Sequence, residues 1–72
     1  MHNIYAYTEG AIISRKELVA TASTLEEAVE YVNENLDPYV IEVDEDYPTC
    51  ADCLLNDGRV VTIEPENFRL AA

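Results

Sequence analysis

Residues 24–36, TLEEAVEYVNENL, form the stretch whose ends and buried face are both legible, and the rest of the chain is read against it. Thr24 and Glu27 stand in the T-x-x-E spacing of a capping box, in which each side chain satisfies a backbone N–H left free at a helix start. Leu25, Ala28, Val29, Val32 and Leu36 then fall at i, i+3, i+4, i+7 and i+11, a single apolar stripe. Glu26, Glu27, Glu30 and Glu34 fill the remaining surface, and the first two sit in the first turn, where the helix dipole favours negative charge. Pro38 disfavours helical geometry in the residue before it and closes the segment. A helix this short is marginal alone in water, so its stripe must rest on a sheet supplied by the rest of the chain.

The flanking sequence supplies the strands. NIYAYT (3–8) alternates, Ile4 and Ala6 facing one way and Tyr5 and Tyr7 the other, without showing which face is buried. Glu9 and Gly10 end it, with Gly10 a turn residue. In the stretch 12–22, Ser14 and Glu17 fit a second capping box, but Val19 and Thr21 and the short run into Thr24 favour a strand over 17–22. After the helix, 39–44 alternates as a half-buried strand, with Tyr39, Ile41 and Val43 opposite Val40, Glu42 and Asp44. A polar loop around Pro48 leads to a short strand over 51–55. Asn56, Asp57 and Gly58 make a hairpin turn in which the Asp-Gly pair supplies positive φ, and 59–64 returns, stopped by Pro65. Residues 66–72 are expected to be a partly ordered tail. The reading is one α+β domain over 1–72, of β-β-α-β-β-β order, with an antiparallel sheet and one helix across one face.

The 72 residues carry 15 Asp plus Glu against 4 Lys plus Arg, a formal net charge of -11, and are 49% hydrophobic. That apolar fraction is enough for a core, and the charge repels nucleic acid and anionic membranes while favouring basic partners. No apolar run reaches a membrane-spanning length, MHNIYAYTEG is not a signal peptide, and Met1 at the head suggests an unprocessed cytoplasmic product. Two cysteines make no disulfide framework.

No catalytic constellation emerges. Cys50 and Cys53 form a lone C-x-x-C: a zinc site needs four ligands, and His2 is the only histidine. In a strand, residues three apart face opposite ways, so the two sulfurs diverge and Cys53 reads as a core residue beside Ala51 and Leu55. Asp44, Glu45 and Asp46 lack the glycine and distal glutamate of a calcium loop. No metal or cofactor is assigned. The five tyrosines include enough for an interface anchor or two, and more than half read as core or core-edge residues.

The directional feature is acidity. Glu26, Glu27, Glu30 and Glu34 run at three- and four-residue steps on the helix, and the outward face of the meander carries Glu42, Asp44, Asp52 and Glu64, continued by Glu45 and Asp46. Partner binding is assigned to Glu26, Glu27, Glu30, Glu34, Glu42, Asp44, Glu45 and Asp46. The competing reading is that these residues only solvate two exposed faces.

With its TLEEAVEYVNENL helix and acidic IEVDED strand, the chain resembles the small inhibitors encoded by phages and mobile elements, among them anti-CRISPR proteins that act as DNA mimics. That resemblance implies a non-enzymatic protein in the host cytoplasm, monomeric or homodimeric. Such a protein binds a basic nucleic-acid-binding complex such as a CRISPR effector, and does not bind nucleic acid directly. These inhibitors share no motif, so no binding residue is carried over by position. The rival expectations are a plain interaction module, dimeric through a sheet edge, and a zinc-dependent domain built on Cys50 and Cys53.

Overall fold

The Glu27 backbone N–H donates to the Thr24 hydroxyl at 3.1 Å and opens helix α1, Leu25–Asn35. Thr24 is extended, at φ −133° and ψ 164°, as an N-cap residue should be. The Glu27 carboxylate reaches one residue beyond the usual capping box and accepts from the Ser23 N–H at 3.2 Å. At the other end the Leu36 N–H donates to the Val32 carbonyl at 2.9 Å. Asp37 then adopts φ 50°, the left-handed turn that leads the chain out of the helix into Pro38. The Asn56 side-chain amide holds that turn, donating to the Asp37 carbonyl at 3.1 Å and its carboxylate at 3.2 Å.

The computed structural model describes residues 1–8 and 16–66. The turn at Gly10, the role of Ser14 in a second cap and the tail beyond Glu66 lie outside them. The strands are β1 His2–Thr8, β2 Glu17–Ala22, β3 Pro38–Val43, β4 Ala51–Leu55 and β5 Arg59–Pro65. The expected order and fold class hold, and the ambiguous segment is a strand over the expected residues. Every pairing is antiparallel, in the spatial order β2-β1-β5-β4-β3. Helix α1 therefore carries the chain from one edge of the sheet to the other, and β5 returns to the centre between β1 and β4.

Strand alternation decides which residues meet the helix. Ile4 and Ala6 of β1, Ala51, Cys53 and Leu55 of β4, and Val61 and Ile63 of β5 point to one face. They close over Ala28 and Val32 of α1 in a single buried cluster. Leu25, Val29 and Leu36 pack around it as the helical stripe requires, joined by Tyr31, which the stripe does not include. Burying each larger aliphatic side chain contributes about 1.5–3 kcal/mol, which is what holds so short a helix in place.

Two local expectations are corrected. Among the described residues with side chains, only Asp37 has positive φ, so the hairpin is not built on an Asp-Gly pair. The Gly58 N–H donates to the Leu55 carbonyl at 3.1 Å and Gly58 alone takes φ 91°, the three-residue loop of a tight turn followed by a left-handed glycine. Asp57 accepts from the Arg59 backbone N–H and guanidinium instead. In β3 the alternation is also less clean than the sequence suggests. A register shift between Pro38 and Val40 leaves Tyr39 outside the ladder and 62% exposed, and Val43 at the strand end is 53% exposed.

Candidate partner-binding surface

The side of the sheet facing away from α1 is crossed by one continuous row of side chains. Leu18 stands opposite Tyr5, Tyr5 opposite Thr62, Thr62 opposite Asp52, and Asp52 opposite Glu42. The row is apolar and aromatic at the β2 side and acidic at the β3 side. Directly opposite residues hold their Cβ atoms about 4.5–5.5 Å apart, so Glu42 and Asp52 are a like-charged facing pair, an arrangement that costs stability. Glu64 lies on the same face, diagonal to Asp52 at about 7–8 Å by ladder geometry.

Beyond β3 the chain turns back on itself. The Asp44 carboxylate accepts from the backbone N–H groups of Asp46 at 2.8 Å and Tyr47 at 3.1 Å, while the Asp44 N–H donates to the Cys50 carbonyl at 3.0 Å. This local hydrogen bonding is how an aspartate builds a turn, and it sets the loop over the acidic end of the sheet. Glu42, Asp44, Glu45 and Asp52 surround one depression there. Beside it, sharing Asp44 and Asp52, runs an open groove of about 290 Å³ walled by Tyr7, Lys16, Tyr47, Thr62 and Glu64. An open space of that size falls just below the range of enclosed small-molecule sites, roughly 300–1,000 Å³. The Lys16 ammonium lies 5.9 Å from the centroid of the Tyr7 ring.

The structure divides the carboxylates assigned from sequence. Glu42, Asp44, Glu45 and Asp46 fall together at the acidic end of the outer face. Glu26, Glu27, Glu30 and Glu34 are exposed on the far side of α1, with the sheet between the two groups. Even the shortest dimension of the molecule, 21 Å, exceeds the screening length of about 8 Å at physiological salt, so the two surfaces act separately. Glu27 and Asp44 also hold local structure, at the helix cap and the loop. Alternation marks Asp52 and Glu64 as outward-facing, but only the strand order sets them beside Glu42 and Asp44. Among the described residues the one ion pair is Arg59 with Asp57, at 2.8 Å.

The cysteines diverge as strand geometry requires. Cys53 is fully enclosed in the core, whereas Cys50 reaches the outer groove. Burial pushes the Cys53 thiol up to about 11, with Asp52 adding to the shift. Burial also raises Cys50, and the charges of Glu64, Asp44 and Asp52 add to the push against the hydrogen bond from Thr49. Neither is tuned as a nucleophile, which requires a lowered pKa. Among the described residues no group of His, Cys, Asp and Glu is placed to hold a metal ion, and no helix is long and apolar enough to cross a membrane.

Fold and surface together define a small α+β protein with an acidic, partly aromatic sheet face. Compared with models of protein families, with curated proteins and with solved structures, the chain matches none of them.

Proposed function

We propose that the protein is a non-enzymatic binding inhibitor whose acidic sheet face occupies a basic nucleic-acid-binding site on another protein or complex. A CRISPR effector is the instance implied by the resemblance to anti-CRISPR DNA mimics. The observation that carries this reading is the facing pair Glu42 and Asp52. Strand positions on an exposed face accept neutral or oppositely charged residues readily, and a like-charged pair costs stability. Local rules of this kind are most often broken where function requires it. Here the pair is extended by Glu64 and by the Asp44–Asp46 loop, and no lysine or arginine among the described residues forms an ion pair with it. A surface that leaves so many carboxylates without cations suits a partner that brings its own, and the phosphates of nucleic acid present charge in a comparable row.

The test is competition. Purified CRISPR effector complexes would be assayed for target-DNA binding with and without the protein, across a salt series. Inhibition that fades steeply as salt rises, and that is lost in Glu42→Lys and Asp52→Lys, is the expected result. Binding to an effector that ignores salt, leaves DNA binding intact and survives both reversals would sink the proposal.

A further inference from the structure

Resting on that reading, we infer that the groove between Tyr7 and Tyr47, on the sheet face opposite α1, receives an arginine side chain of the protein partner in place of Lys16. Among the described residues the one helix, α1, packs against the opposite face, where the core closes. Tyr7, Tyr47, Asp44 and Glu64 line the groove together with Thr62 and Asp52, which face each other across β5 and β4. A lining that combines tyrosines with carboxylates matches a planar guanidinium, which stacks on a ring and donates to two carboxylates at once.

The chain supplies its own demonstration that the groove takes a cation. Lys16 lines it and sets its ammonium 5.9 Å from the Tyr7 centroid, within cation–π range. A lysine is a compact, strongly hydrated charge that neither stacks flat nor bridges two carboxylates, so it is a poor occupant that a guanidinium can displace. The carboxylates also gather: Glu64, Asp44 and Asp52 line the groove together with Cys50. The groove, about 290 Å³ and open to solvent, has room for one long side chain. Lys16 thus acts as an internal competitor that sets how strongly the partner's arginine is held.

The full chain would be titrated with acetyl-Gly-Arg-Gly-amide and with its lysine counterpart at low salt, following backbone amide NMR shifts. Shifts centred on Tyr7, Asp52, Thr62 and Glu64 are expected, with the arginine peptide binding at least threefold more tightly. Lys16→Ala should raise arginine affinity at least threefold, whereas Arg59→Ala, which removes the same charge at the hairpin, should not. Tyr7→Phe should keep binding and Tyr7→Leu should lose most of it. Shifts spread evenly over the helix glutamates, equal response to both peptides, or equal effects of Lys16→Ala and Arg59→Ala would overturn the inference. In that case salt-sensitive competition with DNA that depends on Glu42 would still support the acidic-surface reading. If the peptide binds as expected and that competition is absent, the groove stands and the DNA-mimic reading falls.

Discussion

His2 lies on the core side of β1, opposite Ala22 and Pro65, with both imidazole nitrogens enclosed and without a hydrogen-bond partner among the described residues. An enclosed polar group left unpaired costs about 1–3 kcal/mol. His2→Phe keeps a ring of similar shape and removes the polar atoms, so it should stabilise the fold by about 1 kcal/mol, seen as a higher urea midpoint at unchanged slope. An unaltered midpoint would mean that water reaches the ring in solution. Cys53 makes a prediction about pH. The folded chain holds its thiol proton up to about pH 11, whereas an exposed thiol loses it near 8.5. The unfolded chain therefore binds fewer protons across that window, and stability is present below it and falls as pH rises through it. Urea midpoints at pH 8 and pH 10 should separate more in the wild type than in Cys53→Ala. At Asp37 the left-handed backbone is eased by a short polar side chain that Asn56 engages. Asp37→Ala loses both advantages and should cost about 1 kcal/mol, while Asp37→Gly should cost less.

At the scale of elements, α1 depends on its cap and its stripe, and the meander depends on its ladder. Thr24→Ala removes the acceptor of the Glu27 N–H and should destabilise the protein by about 1 kcal/mol. Glu42→Lys places a cation opposite Asp52 and should stabilise the sheet by a few tenths to about 1 kcal/mol. On the proposed function the same substitution abolishes inhibition, so stability and activity should move in opposite directions. If both fall together, the facing carboxylates serve the fold and not a partner. The sheet edges bear on assembly. β2 shifts register at Val19, between the pairs Ile4–Ala20 and Tyr5–Leu18, and β3 shifts at Tyr39 after its opening proline. Bulges and edge prolines blunt strand addition, so sedimentation at low micromolar concentration should show a monomer. A dimer that dissociates on Leu18→Lys would point to pairing through β2.

Across the whole molecule, a net charge of -11 on 72 residues, 15 acidic against 4 basic, sets up self-repulsion. Salt should therefore raise the unfolding midpoint between about 10 and 200 mM, as the screening length shortens from about 30 Å to below 8 Å. The proposed partner complex should respond in the opposite sense, weakening over the same range, because its attraction is screened as well. One salt series thus separates the intramolecular effect from the intermolecular one. The two acidic surfaces differ in what they offer. The helix glutamates form a convex solvated face, whereas the β3–β4 end combines carboxylates with a groove and tyrosine walls. Reversing Glu30 or Glu34 should therefore affect inhibition less than reversing Asp52.

Local sequence determined the elements. The T-x-x-E spacing and the apolar stripe marked α1, alternation marked the strands, and Cys53 was legible as core beside Ala51 and Leu55. The turn at Gly58 was legible in position but not in type, since Asn-Asp-Gly serves more than one loop geometry. Tertiary structure decided the rest. Which face of NIYAYT is buried, and the return of β5 to the centre of the sheet, depend on pairings between distant residues that no local pattern records. For the same reason eight carboxylates that look alike in sequence fall on opposite sides of the molecule, and Asp52 and Glu64 join Glu42 only through the ladder. Strand order, set by burial of the whole apolar surface at once, turned scattered acidity into a face.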